Sequence, residues 1–192
     1  MLIGRRKFLR TSSGLIIGFP AIIRAQFVGQ PGVGALAAPE LASSANNDTS
    51  VVTGQTLGTL RNNFTGTVGF IFNATAITVT ALGRWVLSGN SGSHTVTLYD
   101  EATTSTVISV SVNTSGATAG QFLYVNCTPT LLVNTRQYAL ETAETSGGDQ
   151  WYDGDSSITY TAAITNVSRA ANHNASGGSA NQTYGPVSFK YH

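Results

Sequence analysis

The chain has 192 residues, a length that suits one domain and a tail, and its apolar share of 41% is enough for a core. Only 10% of residues are charged, against a usual ~25%; Ser, Thr, Asn and Gly take their place, a habit of extracellular β-proteins more than of cytosolic enzymes. From Gln26 onward five basic residues stand against nine acidic ones, and a mildly acidic body without a basic stripe argues against nucleic acid as a partner.

The remaining basic residues open the chain: Arg5, Arg6, Lys7, Arg10 and Arg24 bracket a short apolar run from Gly14 to Ile23. That layout is a signal peptide's, and the run is well short of the ~20 residues a lasting membrane span requires. Arg5-Arg6 followed by Phe8-Leu9 resembles the twin-arginine export signal, with Gly4 and Arg10 departing from its usual pattern. The resemblance implies a leader over residues 1–25, folding before export, and a periplasmic or extracellular destination. Cys127 is the only cysteine, so no internal disulfide is available, and it is expected as a small buried apolar residue.

Residues 26–54, rich in Gly, Ala, Ser, Asn and Pro, lack periodicity and read as a flexible linker. From residue 55 to 192 the pattern is alternation of apolar and polar residues, the mark of strands with one buried face. Ile77, Val79, Ala81, Trp85 and Leu87 share one parity, which places Trp85 in the core. Val96 and Leu98 alternate with Thr95, Thr97 and Tyr99; Ile108, Val110 and Val112 alternate with Ser109 and Ser111. Tyr138 and Leu140 follow, then Ile158, Tyr160, Ala162 and Ile164, and finally Val187, Phe189 and Tyr191. The runs Val68–Phe72 and Phe122–Val125 are apolar throughout, which fits central strands or edge-to-core transitions. Turn signals separate them, among them Ser88–Gly92, Ser146–Asp149 and Asp153-Gly154-Asp155. The expectation is an all-β, antiparallel, jelly-roll-like β-sandwich of about eight strands.

The stretches Gly92–Asp100, Gly147–Asp153 and Tyr184–Tyr191 resemble an uncharacterised exported bacterial jelly-roll domain that is similar in build to carbohydrate-binding modules. That resemblance covers roughly residues 55 to 192 and implies the fold; function on such a fold belongs to its loops.

Chemistry is sparse. His94 begins a strand, His173 sits in a polar loop, and neither has a neighbourhood that suggests a nucleophile and base. Glu141 and Glu144 read as solvated charges at a strand end. Asp149, Asp153 and Asp155, three carboxylates within seven residues around Gly154, are a candidate calcium site, although the spacing is not that of an EF-hand; otherwise no cofactor is expected. Trp151 and Tyr152 flank the same turn, and Tyr99 lies on a hydroxyl-rich strand face. Aromatic rings beside carboxylates and amides suit a sugar, so these three are the candidate ligand-binding residues. The function expected is a non-catalytic binding module for a glycan or another surface polymer. The alternative is a structural or adhesive subunit of a cell-surface or phage-like assembly, acting through sheet edges and homo-oligomer contacts.

Overall fold

A computed structural model describes residues 48–185 and 187–192; the expected leader and residues 26–47 of the expected linker lie outside them. Among the described residues there is no helix. The strands in chain order are β1 (Thr49–Ser50), β2 (Val52–Thr56), β3 (Leu60–Arg61), β4 (Gly66–Ala74), β5 (Thr78–Trp85), β6 (Ser93–Asp100), β7 (Ser105–Asn113), β8 (Phe122–Leu131), β9 (Gln137–Glu144), β10 (Trp151–Tyr152), β11 (Ser156–Tyr160), β12 (Ile164–Ala171), β13 (Asn174–Ala175), β14 (Gln182–Thr183) and β15 (Val187–Tyr191). Both β1 and β2 start before residue 55, so the β-domain reaches into the stretch whose composition reads as linker.

Every pairing is antiparallel. One sheet has six strands in the order β13-β12-β4-β9-β6-β7, and a second has four in the order β1-β15-β5-β8. A three-stranded sheet, β14-β11-β2, and the pair β10-β3 complete the fold. The two large sheets face one another as a sandwich. Phe70, Phe72, Leu98 and Leu140 from the first and Leu82, Val187 and Phe189 from the second share one core, and the rings of Phe72 and Phe189 lie 5.7 Å apart. Burying these side chains supplies the main driving force.

The apolar run in β4 is explained by burial on both faces. Phe70 and Phe72 enter the shared core, while Ile71 packs on the opposite side with Ala139, Ala170 and Tyr99. The run in β8 has a different cause: β8 is an edge strand whose Leu123 and Val125 pack against the core, with Val125 paired to Leu82. The alternation read as one strand through Ile158 and Ile164 is two strands, β11 and β12, parted by a turn at residues 161–163.

Candidate functional site

In β5 the side-chain alternation changes face part-way. Lys190 and Tyr191 of β15 are consecutive, yet they pair with Ala81 and Val79, so Thr80 is an extra residue in the strand. Such a bulge shifts everything beyond it to the other face. Val79 and Leu82 therefore both reach the core, and Trp85 does not: it is half-buried on the outer face of the four-stranded sheet. The core position expected for Trp85 is thus corrected. Its cross-strand partner is Phe122, also half-buried, with ring centroids 5.0 Å apart at 77°.

Tyr124 continues this row, 5.9 Å from Phe122. It lies over Gly83, where a Cβ would come within 2.6 Å of the Tyr124 ring. Its hydroxyl donates to Ser188 Oγ at 3.0 Å, Ser50 Oγ lies 2.7 Å away, and Lys190 Nζ sits 5.0 Å from the ring centroid. Trp85 and Phe122 form one wall of an open groove of about 260 Å³ whose other wall is Val52, Thr53, Gly54 and Gln55. The Gln55 amide is buried at both its Oε1 and Nε2 atoms, and neither has a hydrogen-bond partner. Both amide atoms are shielded from the groove, so its open surface is defined by the aromatic pair. Sequence reasoning missed these residues because no local pattern reports a bulge.

The residues singled out from sequence are dispersed. Trp151 is only 3% exposed, so it is not an open stacking surface. Tyr152 is half-buried beside it, whereas Tyr99 pairs with Ala139 near the far end of β9 and meets the His173 ring edge-on. The three aspartates do not converge either. Asp149 accepts from the backbone N–H groups of Ser91 and Gly92 and from Thr114 Oγ1. Asp153 pairs with Arg61 at 2.7 Å, and Asp155 accepts from Thr59. Among the described residues no group of three or more His, Cys, Asp or Glu side chains is placed to hold a metal ion.

Beneath the groove end lies a buried ionic network that the sequence reading passed over. Glu144 and Arg84 are almost wholly buried, and Arg84 Nε and Nη2 donate to the two Glu144 oxygens at 3.0 and 3.1 Å. His94 Nδ1 lies 3.3 Å from Glu144 and 3.2 Å from the Ala143 carbonyl, while Nε2 lies 2.9 Å from Asp149. Burial opposes charge on His94, but the hydrogen bond to Glu144 counters it and the imidazole pKa ends above its usual value. Burial likewise opposes the Glu144 and Asp149 carboxylates, yet bonds from His94, with the help of Arg84 for Glu144, hold both below the ordinary range. The expectation of a solvated Glu144 is therefore overturned, as is that of an isolated His94. Both ring nitrogens of His94 are engaged, and among the described residues no hydroxyl is hydrogen-bonded to it.

Glu141 is also fully buried, not solvated. It accepts from Thr67 Oγ1 and from the backbone N–H of His173 at 3.0 Å. His173 reaches it because Asn172 and His173, both with positive φ (49° and 61°), form the tight two-residue link from β12 to β13.

No protein-family model matches the chain, and no curated relative is found for it. What the site can do rests on its own geometry.

Proposed function

We propose that this chain is an exported, non-catalytic module that binds a glycan or another surface polymer in the groove between Trp85–Phe122 and Gln55. The twin-arginine-like leader supports delivery to the periplasm or beyond. One observation carries the binding reading: the half-buried aromatic pair Trp85–Phe122 lines an open groove of about 260 Å³. A sugar ring presents CH groups that stack on aromatic faces, which is what this pair offers. Tyr124 and Lys190 extend the surface along the sheet and favour a chain-like ligand over a single small molecule. Engagement of every nearby acid and histidine in the buried network supports a binding rather than a catalytic role.

Retention on a panel of insoluble polysaccharides and a glycan array tests this. Trp85→Ala and Phe122→Ala are expected to weaken binding about tenfold or more, with the far-UV circular dichroism of the parent retained. Parent-like binding by both variants would overturn it.

A second reading, a structural or adhesive subunit, is favoured by β7. This nine-residue edge strand carries no charge and no proline, the usual blunting devices of an unpaired edge, and Leu131 at the end of β8 and Val133 just after it are 67% and 56% exposed. Solution mass measurement separates the readings, since assembly through that edge predicts an oligomer.

A further inference from the structure

One end of the sandwich leaves two strand edges unpaired side by side. The strand β7 closes the six-stranded sheet and β8 closes the four-stranded one. Both line an open groove of about 400 Å³ with Val107, Val110, Asn126 and Cys127 on its walls. An unpaired edge is a template for a further strand. In β8 that edge is blunted: Cys127, Thr128 and Pro129 stand against Thr80 alone, a bulge, and Pro129 has no N–H to give. In β7 it is blunted only near the start, where Val107 is an extra residue between Thr106 and Ile108. From Ile108 to Asn113 the strand runs in regular register with β6, and among the described residues its backbone groups have no partner beyond β6.

The side chains of this edge suit a copy of itself. Neither β7 nor β8 carries a charge, so nothing here attracts a charged partner and nothing sets two copies of this end against each other. The five residues Ile108-Ser109-Val110-Ser111-Val112 read alike from either end. A two-fold axis at Val110 sets Ile108 against Val112 and Ser109 against Ser111, apolar on apolar and hydroxyl on hydroxyl. A nine-residue strand is about 30 Å long, and stacked sheets lie about 10 Å apart. With its side chains such an end offers on the order of 450 Å² per copy, below the ~800 Å² of a standard interface, which points to a weak dimer.

We propose that two copies of this chain join through β7, antiparallel about a two-fold axis at Val110, so that their six-stranded sheets become continuous. This rests on the assembly reading and names its partner and its seam.

The full chain is expected to pass from monomer to dimer in sedimentation between about 1 and 100 µM. Ser109 is exposed, and the two copies of it fall about 7–8 Å apart as diagonal neighbours across the seam. Ser109→Lys and Ser109→Asp are each expected to weaken self-association about tenfold or more, with the parent's far-UV circular dichroism retained. Mixed together, the two variants are expected to recover the dimer, because opposite charges then meet where like charges met before. Mixing that recovers nothing overturns the two-fold seam. A dimer that persists in both variants also overturns it and leaves assembly through another surface standing. A parent that stays monomeric at about 100 µM overturns the seam and the assembly reading together.

Discussion

Arg84 and Glu144 meet across the interior of the sandwich through two parallel hydrogen bonds of 3.0 and 3.1 Å, with 2% and 1% of their side chains exposed. Arg84 comes from the four-stranded sheet and Glu144 from the six-stranded one, so the pair joins the two layers. Removing one partner leaves an uncompensated buried charge. Glu144→Gln is expected to lower unfolding free energy by about 3–5 kcal/mol in urea titration. A loss below ~1 kcal/mol, the scale of an exposed pair, would contradict this account.

The same network predicts a pH optimum for stability. Its histidine has a raised folded-state pKa, so His94 contributes fully below its unfolded value of 6.5, and that contribution fades as pH rises through the folded value. Glu144 and Asp149 have depressed values, so they contribute fully above their unfolded values of 4.5 and 3.8 and lose it as pH falls through the folded ones. Melting temperature measured from acid to alkaline pH should peak between about 4.5 and 6.5. His94→Gln is expected to flatten the alkaline limb; an alkaline limb unchanged in that variant would assign the effect elsewhere.

Gly69 lies in the middle of β4, opposite Glu141. A Cβ there would fall on the Leu140 carbonyl oxygen and within 2.9 Å of the Glu141 Cα, backbone atoms that no rotamer change can move. Gly69→Ala is expected to cost about 3 kcal/mol or more and to reduce soluble yield sharply. Gly116→Ala is the control: a Cβ there meets nothing, so the penalty is confined to its φ of 72°.

Deleting Val187–His192 removes β15 from between β1 and β5, together with the fully buried Val187 and Phe189. Soluble protein should not be recovered. Phe189→Ala, the milder test, is expected to cost about 3–5 kcal/mol by thermal or urea melting.

Because Asp149, Asp153 and Asp155 each serve a different partner, added calcium or a chelator is expected to leave the melting curve in place. A calcium-dependent rise of several degrees would show that these carboxylates converge in solution.

Alternation in sequence carried the antiparallel sandwich, because a half-buried strand writes its inner face at every second residue. It also held more than was drawn from it. His94 shares the parity of Val96 and Leu98, and Glu144 that of Tyr138 and Leu140, so both were marked as inward despite their charge. Trp85 was not legible, since the bulge at Thr80 is defined by pairing with β15, a distant segment. Glu141 sits on the outer parity and is buried by His173 and Thr67, contacts that strand periodicity does not encode. The groove shares this origin: Gln55 and Trp85 belong to different sheets and meet only in the folded molecule.

The position of β15 bears on how the molecule is made. Its neighbours β1 and β5 are synthesised early, yet they have no direct strand pairing and share a sheet through this late strand. A nascent chain can pair β4, β6, β7 and β9 while still on the ribosome, but the opposite layer stays in two pieces until Tyr191 has emerged. Closure of this domain therefore waits on β15, the last of its described strands in chain order, and a chain cut before it is left half-open.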